Sequence, residues 1–357
     1  MDIWWKYPLA EKTETYTMIK FFRHIRKSLL QQNKTGKYFK YAIGEIVLVV
    51  IGILIALSIN NWNENKKANT NFKKSLVNVF KDLEVDLNKA QDVISNYNRM
   101  NTISNNIIEG NYSAADYRKN MSLPRIIFNT YRFHITDMGY KALMQNTEII
   151  PSEHEQLIAE LNQQYIITKE IVEDRYNGLY NFLNSTRERY ALNYPWFSQR
   201  DSMNIEKSIQ HYANNPIFKN EVRVYQIFAV ANFSKAIQDF YSQGLFLYLD
   251  LKTILKDKSP QPSFFPKNAE GYDTIKNDYL GNYLNEIGIK LIIKKKNDFL
   301  YIYRDDVSTV SLLTMISKDT FYNHRNGFTL SFKRDESNKV IGWSNKFSTI
   351  NRVKGND

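Results

Sequence analysis

The residues Tyr41 to Ile59 read YAIGEIVLVVIGILIALSI, and no other part of the chain constrains its fold as strongly. A helix crossing a bilayer core needs about 20 predominantly apolar residues. Glu45 is the only charged residue in the run, about 6 Å from its start at the helical rise, where a carboxylate reaches headgroups or a basic neighbour. From Ile46 to Leu57 there is no polar face, although a soluble helix normally keeps one. The run therefore predicts a transmembrane helix over residues 41–60. The rival readings are a buried core helix and a cleaved signal segment, but the run is longer than a signal core and its leader is long. Trp62, just beyond the far end, suits the interfacial aromatic belt. Gly52 and Ala56 have the small-xxx-small spacing that lets a second copy approach as a homodimer.

The flanks give a direction. Lys20, Arg23, Arg26, Lys27, Lys34, Lys37 and Lys40 precede the run, with no Asp or Glu from Met18 to Lys40. The far flank opens Asn60-Asn61-Trp62-Asn63-Glu64-Asn65 before Lys66 and Lys67. The positive-inside rule places the N-terminus in the cytoplasm and the bulk outside. The net charge of +11 and pI of 9.3 alone would admit nucleic acid as a partner. Its concentration beside an apolar run favours anionic inner-leaflet lipids, met by residues 18–40. Met18 to Gln32 can form a basic amphipathic helix lying on that leaflet, or an unstructured leader that only sets topology.

Residues 61–257 read as mainly α. Phe72, Leu76, Val79, Leu83, Leu87, Ala90, Ile94 and Tyr97 recur at helical spacing over Asn71 to Ile108, continuous with the apolar run. Pro124 opens a second helix to about Gln145. Pro151 starts a third to about Tyr190, with capping-box spacing at Ser152 and Glu155. Pro216 precedes a fourth, from about Ile217 to Leu255. Short joins make this an antiparallel, up-and-down helical bundle. Residues 258–271 read as a linker. In 272–350 the period changes: Ile289–Ile293, Phe299–Tyr303, Val310–Ile316, Phe328–Phe332 and Val340–Trp343 predict a small antiparallel, barrel-like β module. Asn297-Asp298 and Glu336-Ser337-Asn338 are its hairpin turns.

Two resemblances follow from particular residues. Tyr41-Ala42-Ile43-Gly44-Glu45 and Ile59-Asn60-Asn61-Trp62-Asn63-Glu64, after the MIKFFRHIR opening at Met18, resemble single-pass membrane proteins of Bacteroidota that form a domain family of unknown function. Thr136-Asp137-Met138-Gly139-Tyr140-Lys141-Ala142-Leu143 extends that likeness, although Met144-Gln145-Asn146 replaces the small residues usual there. The resemblance implies an inner-membrane protein with a helical outer part and no assigned activity. It also makes Met1–Thr17 an unusual extension, with Met18 as an alternative start. Tyr279-Leu280-Gly281-Asn282-Tyr283, Asp319-Thr320-Phe321 and Leu330 to Asp335 resemble the lipocalin-like module that follows β-lactamase-like serine hydrolases. That module carries no catalytic residues, and Asn338 stands where it usually has Gly.

Chemistry is sparse. The chain has no Cys, which removes disulfides, thiolate catalysis and Cys-ligated metals. No Ser-x-x-Lys, nucleophile elbow, phosphate loop or His-Glu-x-x-His motif occurs. Asp82 and Asp86 read as a solvated helix face among lysines. His134 and Asp137, with Tyr140, form the one candidate ligand or partner face, His134 and Asp137 being one helical turn apart. No catalytic, cofactor-binding or metal-binding residue is assigned. The expectation is a non-enzymatic envelope protein in the bacterial inner membrane that binds a small ligand or an envelope protein. The alternatives are a membrane-tethered enzyme with an unrecognised site or, with orientation reversed, a cytoplasmic nucleic-acid-binding protein.

Overall fold

A computed structural model describes residues 23–24, 27, 35–145, 150–198, 201–304, 307–346 and 348–353. The Met18–Gln32 segment lies largely outside the described residues. Two compact units divide between Thr70 and Asn71.

In the first unit the described chain is helical from Thr35, the start of helix α1 (Thr35–Glu109). It contains one helix long and apolar enough to cross a membrane, and the large apolar side chains from Ile46 to Ile59 are 46–64% exposed.

The second unit has a helical core and a β-barrel. The remainder of α1 buries Phe72, Leu76, Val79, Leu83, Leu87, Ala90 and Tyr97 on one stripe. Gly110 ends the helix in the left-handed region (φ 81°), its N–H donating to Ile107 and that of Asn111 to Asn106. Helix α2 (Ala114–Lys119) is held by a capping box between Ser113 and Asp116. The predicted third helix forms, as α4 (Glu155–Asn162), a π-helical stretch (Gln163–Thr168) and α5 (Lys169–Asn193). A 3-10 turn at Ser152–His154 precedes it, and α4 starts without a side-chain cap at His154. Helix α6 (Ser202–Asn214) follows, capped by Asp201. The predicted fourth helix is α7 (Pro216–Gln226), a π-helical stretch (Ile227–Ser234) and α8 (Lys235–Leu255). Gly244 lets α8 approach closely: a Cβ there would lie 2.7 Å from Leu87 Cδ2.

The predicted second helix does not form as read. Pro124–Phe128 is one 3-10 turn, residues 129–137 are neither helix nor strand, and only Met138–Met144 (α3) is α-helical. The reason lies in α1. Tyr131 N–H donates to Tyr97 Oη (3.1 Å), Thr136 N–H to Asp86 Oδ2 (2.5 Å) and Gly139 N–H to Asp82 Oδ2 (2.7 Å). Asp82 to Tyr97 spans about 22 Å of helix, whereas Tyr131 to Gly139 coiled as a helix would reach only about 12 Å. The segment must therefore stretch into a strap along α1, with Phe133 and Ile135 buried beneath it.

Eight antiparallel strands close a barrel in sequential order: β1 (Gly281–Asn285), β2 (Lys290–Lys296), β3 (Phe299–Arg304), β4 (Val307–Ser317), β5 (Thr320–Asn323), β6 (Phe328–Arg334), β7 (Val340–Ser344) and β8 (Thr349–Arg352). Pairing of β1 with β8, Leu284 opposite Asn351, leaves no sheet edge. Short helix α9 (Tyr272–Ile275) precedes β1. Asn297, Asp298 and Asn338 adopt positive φ, as the turns require. The segment read as a linker is partly core: Phe264 and Phe265 are buried against Tyr248, and Tyr241 Oη donates to the Phe264 carbonyl (2.7 Å). Leu312 and Phe299 of the barrel join the helical core.

Candidate functional site

The sequence-predicted anchor residues come first. Trp62 is exposed, with Lys66 Nζ 5.1 Å above its ring. A Cβ at Gly44 or Gly52 would meet nothing within 4 Å, so packing within the chain does not demand a glycine at either position. Ala56 and Glu45 lie on the same helix, α1.

The predicted face of His134, Asp137 and Tyr140 is divided. His134 is exposed on the strap, so the expected helical spacing to Asp137 does not exist. Asp137 lies between Lys169 Nζ (2.5 Å) and Lys141 Nζ (3.0 Å). Partial burial opposes its charge, but the two lysines prevail and hold its carboxyl below the usual range. Tyr140 is buried, stacks on Tyr165 at 5.1 Å and donates to Asn162 Oδ1 (2.7 Å). These contacts fasten the strap and α3.

Asp86 overturns the solvated-face reading. It is wholly buried and accepts from Thr136 N–H and from Thr136 Oγ1 (3.0 Å). Burial outweighs those bonds and pushes its carboxyl up to about 6. Gly139 is required where the chain crosses Asn78 of α1, because a Cβ would lie 2.6 Å from the Asn78 carbonyl carbon. Thr136 to Tyr140 is thus a clamp on α1. Its signal was present: Asp86 falls on the buried stripe between Leu83 and Ala90.

Another polar cluster joins α5, α6 and α7. Buried Glu221 accepts from Tyr190 Oη and from Arg189 Nη2 (2.8 Å), while His211 Nε2 lies 3.2 Å from Tyr190 Oη. Burial lowers the His211 pKa. The cluster is packed against Tyr194 and Trp196 and satisfies its own members.

The barrel has a sealed end and a hollow end. At the sealed end Arg334 donates to Asp319 (2.8 Å), Asp278 (2.9 Å) and Tyr279 Oη (3.2 Å), and Tyr279 Oη donates to Asp319 (2.9 Å). This lock unites the residues that carry the lipocalin-like resemblance. At the other end, where β6 begins, is a cavity of about 100 Å³. Leu291, Ile302, Phe328, Leu330 and the Trp343 ring supply apolar wall; Arg304, Asn323, Arg325 and Asn326 supply polar side chains. Arg325 Nε donates to Asp239 of α8 (2.9 Å), and Ser311 Oγ donates to Asn323 Oδ1 (2.6 Å). The sequence reading missed this cavity because its lining comes from six strands and two turns. Among the described residues, no group of three or more His, Cys, Asp or Glu is arranged to hold a metal ion.

The family described as "Family of unknown function (DUF6090)" matches residues 45–190, less than half of the chain. The match begins within the apolar run, ends at Tyr190, and includes the strap and its clamp; the barrel lies outside it. No curated protein and no solved structure matches the chain.

Proposed function

We propose that this is a single-pass protein of the bacterial inner membrane, non-enzymatic, which presents residues 71–357 outside the cytoplasm to bind a small ligand or an envelope partner. One observation carries the membrane part: a long helix whose apolar side chains from Ile46 to Ile59 are exposed all round. Each such side chain loses about 1.5–3 kcal/mol by facing water rather than an apolar medium, and a bilayer supplies that medium. The basic, acid-free stretch before the run supports a cytoplasmic N-terminus and contact with anionic lipids. Gly52 and Ala56 offer a face for a homodimer.

The binding part rests on what the second unit contains. In its helical part, an antiparallel bundle in this reading, the Thr136–Leu143 motif serves structure. The strap clamps α1, and the buried Glu221 cluster is internally satisfied. The hollow barrel end is a concavity that combines apolar wall with polar groups.

Alkaline phosphatase fused after Lys258 and, separately, after Lys40 tests the orientation. Activity confined to the Lys258 fusion is expected. An inactive but well-expressed Lys258 fusion would place the bulk in the cytoplasm and reopen nucleic acid as a partner.

A further inference from the structure

An open cleft of about 330 Å³ lies between α5 and the π-helical stretch Ile227–Ser234, and it shares no residue with the barrel cavity. Three carboxamides line it: Asn177 and Asn181, one turn apart on α5, and Asn232 on the π-helical stretch. Other surface amides are tied within one turn; Asn96 donates to the Asp92 carbonyl (3.0 Å) and Asn214 to Gln210 Oε1 (2.8 Å). Among the described residues, the amides of Asn177, Asn181 and Asn232 have no such partner, and Asn177 and Asn181 do not bond each other. Gly178 and the half-buried Phe228 also line the cleft. A Cβ at Gly178 would meet Phe228 Cδ1 at 3.6 Å, an ordinary contact, so packing does not demand glycine there. Glycine inside a helix costs about 0.5–1 kcal/mol relative to alanine, and here it leaves the cleft open beside the Phe228 ring. That ring is held by stacking on Phe182 at 5.5 Å. Asp174 and Arg175 pair at 3.3 Å, so the lining carries no net charge. The π-helical stretch that supplies Phe228 and Asn232 is itself a feature that recurs at functional sites.

We infer that this cleft binds a neutral saccharide, the C–H groups of one sugar ring against Phe228 and its hydroxyls bonded to the carboxamides of Asn177, Asn181 and Asn232. A carboxamide donates and accepts, and so does a hydroxyl, so three amides on one cleft match a ring that carries several hydroxyls. The balanced charge of the lining offers an ion nothing. An extended peptide would need pockets for alternate side chains, whereas the cleft has one aromatic ring. Its volume is at the small end for a ligand site and suits one or two sugar units. The inference adds a site to the binding reading above, and it depends on neither the barrel cavity nor membrane orientation. The fusions test topology, and the experiment below tests the cleft.

Full-length protein in micelles of a zwitterionic detergent, which has no sugar headgroup to compete, is mixed in turn with the methyl glycosides of glucose, galactose, mannose and N-acetylglucosamine. Saturation-transfer NMR reads binding as magnetisation passed from protein methyl groups to the protons of the bound sugar. At least one glycoside should show saturable transfer. N177A combined with N181A changes only exposed side chains, so the protein still folds, and it should weaken that glycoside at least about tenfold. N214A, on α6, should leave binding unchanged. G178A should weaken binding while raising the thermal midpoint, the pattern of a glycine kept for a ligand. No transfer to any of the four at about 10 mM, a concentration that detects even millimolar affinity, would overturn the site. Transfer unchanged in the N177A/N181A protein would place the sugar elsewhere and overturn the cleft. Tighter binding of a blocked alanine tripeptide, lost in the same variant, would overturn the saccharide assignment in favour of a peptide backbone.

Discussion

At the residue scale, Asp86 and Gly139 hold the strap to α1, and each makes a distinct prediction. The carboxyl of Asp86 has its pKa raised from 3.8 to about 6 by burial. The folded state therefore binds a proton more tightly than the unfolded state. Stability is fully present below the unfolded value and is lost as pH rises through about 6, by roughly 3 kcal/mol in all. D86N keeps an acceptor for the Thr136 N–H and cannot ionise. Thermal unfolding should lose most of its decline between pH 4 and pH 7 in D86N, a window set by that raised pKa. An unchanged decline would assign it to other groups. G139A forces a methyl onto the α1 backbone and should cost about 2–3 kcal/mol, measured by denaturant unfolding. A cost under about 0.5 kcal/mol would mean that the close approach is not maintained.

At the element scale, legibility followed the source of each segment's hydrogen bonds. The helices of residues 71–109, 155–193 and 216–255 satisfy their backbone internally, so apolar spacing revealed them. Their π-helical stretches at Gln163–Thr168 and Ile227–Ser234 leave that spacing almost intact and went unread. The strap was illegible because its N–H groups are met by Tyr97, Asp86 and Asp82, far away in sequence. Apolar residues after Pro124 then suggest a helix that the span along α1 forbids. Five strands were foreseen, whereas β5 and β8, four residues each, and β1, whose GNYLN carries a Gly and two Asn, did not stand out, and they include the pair that closes the barrel. Y97F removes the hydroxyl that accepts from Tyr131 N–H and lies 2.9 Å from Thr130 Oγ1. It should destabilise the protein by about 1–2 kcal/mol and speed amide exchange at Tyr131 and Thr136. Exchange that quickens at neither amide would contradict a strap held from α1.

At the scale of the whole molecule, the sequence suggested a small β module after a linker, and the barrel lies in one compact unit with the helices. Phe299 and Leu312 enter the helical core, Lys296 pairs with Asp250 of α8, and Arg325 with Asp239. A single cooperative transition is expected for residues 71–357, and F299A with L312A should split it in two. Two transitions in the unmutated protein would mean that the barrel unfolds independently of the helices. The cavity was the least legible feature, since Leu291, Arg325 and Trp343 line one hollow only once the barrel closes. The membrane segment was the most legible, because an all-apolar helix needs no tertiary context to be read.

That segment carries the central claim, and extraction of membranes with alkaline carbonate tests it most directly. The full-length protein should remain in the membrane pellet, and a variant lacking residues 41–60 should appear in the supernatant. Release of the full-length protein by carbonate would contradict a spanning helix and leave only peripheral attachment through the basic leader.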